Sequence, residues 1–289
     1  MPFVRLVAAT LALVLVACSH GSDRPAGPLR IVATTSTLAS LARGAAGEGA
    51  DVRSLVPVGV SPEDYQPAPA DIAALHDADV LVENGAQLEG WLDGTLRNAA
   101  NPHLRIVVCT EGLDVRDGNP HLWMDPEYAR AYVAKIRDAI VAADPAHAGT
   151  YQGAAKAYDG QLVALLARTH AKIATIPPPR RAMIVFHNAF DYYARRFGLR
   201  VVGAIEPIAG AEPNPAHVAD LVRLARANGV HAVFAEHEYS DRLARALAES
   251  AGDLTVAFLY DDSLGTDPAV STYIGMIDSD TDTIVRALK

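Results

Sequence analysis

Residues 182–186 have the sequence Ala-Met-Ile-Val-Phe and lead directly into His187. All five side chains are apolar, although alternate residues of a β-strand point to opposite faces of the sheet. A strand that is apolar on both faces is typical of a parallel sheet covered by helices on both sides. This segment therefore predicts an α/β fold in which a polar side chain follows the carboxyl end of a buried strand.

Seven further short runs rich in β-branched residues alternate with Ala- and Leu-rich stretches of helical character. The predicted strands of the first half are 29–34, 51–56, 79–83 and 105–109. Those of the second half are 182–186, 199–205, 230–235 and 254–259. Such alternation is typical of parallel sheets with crossover helices, and the same plan occurs twice. We therefore expect two similar parallel-sheet lobes.

A stretch without proline, 146–176, separates the two halves. Its apolar residues recur at roughly helical spacing, as Leu162, Leu165 and Leu166 show. Three consecutive prolines begin at Pro177 and end the pattern, because proline does not fit a helix interior. The sequence predicts one long, rigid helix that joins the lobes and restricts hinge motion.

The N-terminus has the features of an export signal. Arg5 precedes a mostly apolar run, 6–17, which is much shorter than the roughly 20 residues that cross a bilayer. Residues 15–18, Leu-Val-Ala-Cys, resemble a bacterial lipobox, which implies lipidation of Cys18 after cleavage. The predicted organisation is a signal peptide 1–17, a lipidated tether 18–28, an N-terminal α/β lobe 29–145, a linker helix 146–180 and a C-terminal α/β lobe 181–289.

Composition excludes several classes of function. The formal charge is −9, and the 25 Lys and Arg residues are scattered, so the chain lacks the basic surface of a nucleic-acid-binding protein. Cys109 has no partner in the predicted mature chain, which excludes a disulfide framework and favours a small core residue. The sequence contains no P-loop, nucleotide-binding glycine motif or nucleophile elbow. We expect a monomer without an organic cofactor.

Four candidate metal ligands follow predicted strands. Glu63 follows the second strand, His121 the fourth, His187 the fifth and Asp262 the last. Open α/β sheets bind ligands beyond the carboxyl ends of their strands, so these side chains are expected in one cleft between the lobes. Two imidazoles with two carboxylates suit Zn²⁺, Mn²⁺ or iron, whereas an all-oxygen set would indicate Ca²⁺ or Mg²⁺.

Each candidate has a structural alternative. Ser61, Pro62 and Glu63 could begin a helix, and Asp262 could belong to a turn. A single histidine after a strand is often a hydrogen-bonded loop residue. Asp125 before Pro126 is assigned a helix-capping role.

Five segments together resemble one protein family. They are 56–67 with Asp71, 84–92, 119–126, 186–190 and 259–265. In this order and spacing they resemble the zinc and manganese ABC-transporter solute-binding lipoproteins, also called cluster A-I or cluster 9 binding proteins. The resemblance implies an exported binding protein that delivers a metal ion to an ABC permease and its ATPase subunit.

The resemblance also implies a ligand set. It assigns the second and third ligands to His121 and His187 and the fourth to Asp262, with Asp261 as the alternative register. Glu63 occupies the usual histidine position, and the His-rich loop of many zinc-specific members is absent from 111–119. Two histidines and two carboxylates match the composition of manganese-type sites, although the glutamate there usually takes the third position. A secreted metal-dependent hydrolase is the alternative function.

Overall fold

The computed structural model of the protein describes residues 27–206, 214–252 and 254–289. The predicted signal peptide 1–17 and the predicted lipidation site Cys18 lie outside the described residues.

In the part of the chain that the structure describes, eight strands form two four-stranded sheets that are parallel throughout. The strands of the first sheet are β1 Leu29–Ala33, β2 Ala50–Ser54, β3 Val80–Glu83 and β4 Arg105–Val108. Those of the second are β5 Ala182–Val185, β6 Arg200–Ala204, β7 Ala232–Glu236 and β8 Thr255–Leu259. Their orders, β2-β1-β3-β4 and β6-β5-β7-β8, are equivalent. The predicted fold class and all eight predicted strands are confirmed, with boundaries that differ by at most two residues.

The helices complete the α/β architecture. In the described residues they are α1 Ser36–Ala46, α2 Pro69–Asp77, α3 Leu92–Ala99, α4 Pro126–Ala143, α5 Ala148–Ala174, α6 Asp191–Phe197, α7 Pro215–Ala227, α8 Arg242–Ala251 and α9 Tyr273–Leu288. Asp125 caps α4, since its side chain accepts a hydrogen bond from the backbone N–H of Glu127. The capping role predicted for Asp125 is therefore confirmed.

Helix α5 is the long connecting helix that the sequence predicts. It is 27 residues long and ends at Ala174, before the three prolines, where Pro178–Arg180 form a short 3₁₀ turn. Its N-terminus is also preceded by a 3₁₀ turn, Pro145–His147. Helix α5 packs against α1 and α4 from the first half of the chain and against α9 from the second half.

One hydrophobic core extends through both halves of the molecule. It contains Val82 from the first sheet, Met183 and Phe234 from the second, and the buried aromatics Trp123 and Tyr273. All four residues of β5 are buried, as its apolar sequence predicts.

Helix α9 returns to the first half of the chain. The hydroxyl of Tyr273 donates to the carbonyl of Trp123 at 2.7 Å, and the Tyr273 backbone N–H donates to the Ser40 hydroxyl at 2.9 Å. The lobe limits 29–145 and 181–289 stay a prediction, because this helix belongs to the second range but packs on α1 and α5. Among the described residues, no helix combines the length and apolar character that a membrane span requires.

Candidate metal site

The four candidate ligands lie in loops that follow strands β2, β4, β5 and β8. Glu63 is not at a helix start, because the next helix begins only at Pro69, and the helix-start alternative for this residue is therefore wrong. Its loop is held from both halves of the molecule. The Trp91 indole donates to the Pro62 carbonyl at 2.8 Å, and the Ser61 hydroxyl donates to Asp262 Oδ2 at 3.3 Å.

The side chains of these loops converge on the Nε2 atom of His121. It lies 3.0 Å from His187 Nε2, 3.4 Å from Asp262 Oδ1 and 3.7 Å from Glu63 Oε1. One ligand atom each from Glu63, His121 and His187 lies within 4.8 Å of the others. The side chains of both histidines are 4 % exposed and that of Asp262 is 0 % exposed, whereas that of Glu63 is 23 % exposed. Glu63 is thus the side of the site open to solvent.

Both imidazole rings are oriented by oxygen atoms behind them. His187 Nδ1 lies 2.9 Å from each carboxylate oxygen of Glu236, and His121 Nδ1 lies 2.8 Å from Asn119 Oδ1. Because these oxygens accept hydrogen bonds, each Nδ1 carries a hydrogen, and a neutral ring would direct its Nε2 lone pair into the site. Two lone pairs 3.0 Å apart repel each other unless a proton or a metal ion lies between them.

The local charges favour a cation at this position. Burial alone would lower the pKa of His187, but the carboxylates of Glu236, Asp262 and Glu63 outweigh it and raise that pKa to about 10. Burial lowers the pKa of His121. In the metal-free protein the proton therefore resides on His187, whose Nε2–H donates to His121 Nε2.

The two acidic candidate ligands respond differently to the site. Burial and then the charge of Asp262 raise the pKa of Glu63 to about 7. Burial would raise the pKa of Asp262 as well, but its contact with His121 and the charge of His187 outweigh this effect and lower it. Asp262 is therefore an anion whose Oδ1 lies 3.4 Å from His121 Nε2.

Asp261, the alternative register, lies on the other side of His187. Its Oδ2 is 3.8 Å from His187 Nδ1, and burial followed by the charge of Glu236 raises its pKa well above the usual range. With His187 and Glu236 it forms a second group of possible metal ligands, all buried. This group meets the Nδ1 face of the ring, which the hydrogen bonds to Glu236 already occupy.

Sequence reasoning missed three residues that shape the site: Asn119, Glu236 and Glu238. Glu236 is the last residue of β7. It could have been found by searching the carboxyl end of that strand for polar residues, as was done for the other strands. Glu238 lies two residues further on, and burial followed by the charge of Asp262 raises its pKa to about 8. Asn119 belongs to the segment 119–126 that carries the family resemblance, but its contact with the His121 ring depends on a side-chain conformation that no sequence pattern predicts.

The sequence profile of a family described as zinc-uptake complex component A, periplasmic, matches residues 31–287. The chain belongs to this family. Its members are the metal-binding, non-enzymatic components of ABC uptake systems, which confirms the resemblance found in the sequence. Family membership also places the chain outside the cytoplasm, lipid-anchored or periplasmic.

Relatives of the chain are named for three different metals. The iron-binding protein YfeA of Yersinia pestis is 33% identical over 89% of this chain and 85% of its own length. The manganese-binding lipoprotein MntA of Halalkalibacterium halodurans is 31% identical over 99% of this chain and 97% of its own. The high-affinity zinc uptake system protein ZnuA of Bacillus subtilis is 30% identical over 86% and 85%.

Solved structures show the same fold. A manganese-bound periplasmic metal-binding protein from Candidatus Liberibacter asiaticus superimposes with a TM-score of 0.81 at 24% identity, covering 91% of this chain and 100% of its own. The periplasmic zinc-binding protein TroA of Treponema pallidum gives 0.82 at 23% identity, with coverage of 91% and 99%.

Proposed function

We propose that this protein captures one divalent transition-metal ion, Zn²⁺, Mn²⁺ or Fe²⁺, and delivers it to an ABC permease coupled to an ATPase subunit. The proposed ligands are Glu63, His121, His187 and Asp262. The observation that carries the proposal is the pair of buried Nε2 atoms, 3.0 Å apart, that face each other beside two carboxylates.

The geometry needs only a small adjustment to hold an ion. Metal–nitrogen bonds of about 2.0–2.1 Å at tetrahedral angles separate two ligand nitrogens by about 3.4 Å. The two rings are slightly closer than this, as expected for rings that share a proton. A modest separation of the rings would therefore admit the ion.

The ligand set supports transport rather than catalysis. Catalytic zinc sites have three protein ligands and keep a position open for water or substrate, whereas four protein ligands fill a tetrahedral shell. Release then requires the ligands to be pulled apart.

We further propose that the permease separates two lobes, 29–145 and 181–289, which 146–180 joins. We also propose that the protein acts as a monomer.

The direct test loads the metal-free protein, one ion at a time, with Zn²⁺, Mn²⁺ and Fe²⁺ under anaerobic conditions. We expect one ion per chain by elemental analysis and a rise in melting temperature with metal concentration, because the ion binds only the folded state. The proposal is wrong if none of the three ions binds at a defined stoichiometry.

Metal binding is expected to release protons. The ion takes the place of the proton on His187, whose pKa is raised to about 10, and below about pH 7 it also displaces a proton from Glu63. A group that must lose a proton makes the affinity rise with pH. We expect about one proton released per ion at pH 8 and nearly two at pH 6.

Calorimetric titrations in buffers of different ionisation enthalpy measure this number, since the apparent enthalpy varies in proportion to the protons transferred. A proton count of zero across this pH range would contradict the assignment of His187 as a ligand.

We also propose that Cys18 carries the lipid that attaches the mature protein to the membrane. Cys18→Ala should release the protein into the soluble fraction of its native host. One acyl chain gives only marginal membrane binding, so stable attachment at Cys18 would need more than one chain. A variant that still sediments quantitatively with membranes would contradict the lipid attachment at Cys18.

A further inference from the structure

The side-chain amide of Asn119 has an orientation that the backbone determines. Its Oδ1 accepts a hydrogen bond from the His121 backbone N–H at 3.0 Å, and its Nδ2 donates to the Asn188 carbonyl at 2.7 Å. A backbone N–H can only donate and a carbonyl can only accept. The two ends of the amide are therefore assigned without reference to any imidazole ring.

This orientation determines the tautomer of His121. The ring Nδ1 lies 2.8 Å from Asn119 Oδ1, which is an acceptor, so Nδ1 must carry the hydrogen. Nε2 is then the nitrogen with the free lone pair. It is also the ring atom that faces His187, Asp262 and Glu63.

The same amide joins the loops that carry the two histidines. Asn188, which accepts from Asn119, directly follows His187 in the sequence. The Asn119 backbone is attached to the second half of the chain as well, because its carbonyl accepts from the Tyr192 hydroxyl at 2.9 Å. That hydroxyl in turn accepts from the Arg116 backbone N–H at 2.9 Å.

We propose that Asn119 is a positioning residue of the metal site, which holds His121 in the tautomer with Nε2 free and fastens its loop to the residue that follows His187. This inference rests on the proposed metal-binding function. The separation of the two loops during release would break the Asn119–Asn188 hydrogen bond at the same time as the ligand set, so one amide links ligand orientation to the contact between the two halves.

A second Asn-Pro-His segment, Asn101 to His103, shows what the local sequence does by itself. Asn101 Oδ1 also accepts from the backbone N–H of the histidine two residues on, at 3.0 Å. Its Nδ2 donates to the carbonyls of Leu75 and Ala78, at 3.0 Å and 2.8 Å. His103 is exposed on the surface, so the shared turn is a local structural feature and Asn101 provides a matched control.

The test compares Asn119→Ala and Asn119→Asp with Asn101→Ala. The tautomer of His121 is read from ring nitrogen chemical shifts in ¹⁵N-histidine-labelled, metal-free protein, and affinities for Zn²⁺ and Mn²⁺ are measured by competition with a chelator. In Asn119→Ala the Nδ1 hydrogen of His121 loses its acceptor, and only the contact with His187 Nε2 still favours the tautomer with Nε2 free. We therefore expect a larger share of the other tautomer and a loss of roughly 10- to 100-fold in affinity, the range typical of lost outer-shell partners. Asn101→Ala should leave both unchanged.

Asn119→Asp separates the two roles of the amide. Its carboxylate still accepts from Nδ1, so the tautomer should return to that of the wild type. It cannot donate to the Asn188 carbonyl, so the bound ion should dissociate faster than from the wild type in stopped-flow chelator experiments.

Two results would overturn the inference. The first is an unchanged His121 tautomer in Asn119→Ala together with an affinity within twofold of the wild type. The second is an equal loss of affinity in Asn119→Ala and Asn101→Ala. The tautomer is measured in metal-free protein. If the wild type bound no ion, the proposed function would be refuted, but the comparison of His121 tautomers between the wild type and Asn119→Ala would still be valid.

Discussion

His121→Ala and His187→Ala are each expected to lower metal affinity by more than the roughly 100-fold that an outer-shell residue contributes, because each removes a donor atom of the site itself. Truncation of His121 also removes the nitrogen on which the other three side chains converge. Calorimetric titration with Zn²⁺ and Mn²⁺ measures the loss. At a concentration 100 times its dissociation constant the ion stabilises the wild type by about 2.7 kcal/mol, and this gain in unfolding free energy should largely disappear in both variants.

His103→Ala is the control for these substitutions, since His103 is exposed and follows an identical Asn-Pro dipeptide. It should bind metal as the wild type does. If His121→Ala and His187→Ala both kept the stoichiometry and affinity of the wild type, the proposed ligand set would have to be abandoned.

Substitutions at Glu63 are expected to change the choice of metal. Oxygen ligands favour harder ions, although intrinsic affinities still rise from Mn²⁺ to Zn²⁺. Glu63→His should therefore increase the ratio of Zn²⁺ to Mn²⁺ affinity. Glu63→Gln should weaken both by about tenfold or more, equivalent to at least ~1.4 kcal/mol, because it removes a charged donor 3.7 Å from His121 Nε2. Parallel titrations of the wild type and both variants at fixed pH and salt measure the ratio.

Asp64→Asn is the matched control for the loss of charge. Asp64 is the next residue and is exposed, so its neutralisation changes the long-range field but not the donor set. If Glu63→Gln behaved like Asp64→Asn and Glu63→His left the ratio unchanged, the site would contain only His121, His187 and Asp262 from the protein.

The fold could be predicted because its deciding signals are local. The strand β5 is buried on both faces and its sequence is apolar at every position, so periodicity and composition agree. The prolines after Ile176 likewise predict where α5 ends, and the observed end at Ala174 is two residues earlier. The return of α9 onto α1 and α5 was not predictable in this way, because it depends on long-range packing of residues such as Tyr273.

The candidate site was partly predictable for a similar reason. Open α/β sheets bind ligands beyond the carboxyl ends of their strands. Because Glu63, His121, His187 and Asp262 each follow a strand, this tendency predicts that they lie in the same cleft. The residues that orient the imidazoles were missed. Glu236 and Asn119 act through hydrogen bonds to Nδ1 atoms, and such bonds depend on rotamers that are set only when both halves have packed together.

Because the two sheets share one hydrophobic core, we expect them to unfold together in one cooperative transition with a single free energy of unfolding. Residues as distant as Val82 and Phe234 belong to the same buried cluster, so neither sheet can open fully without disturbing the packing of the other. An ion bound in the cleft then protects the entire chain against unfolding, including segments far from any ligand. Proteases that attack unfolded chains would degrade the metal-free protein before the metal-loaded one, and the amount of protein outside the cytoplasm would then follow the supply of its metal ion.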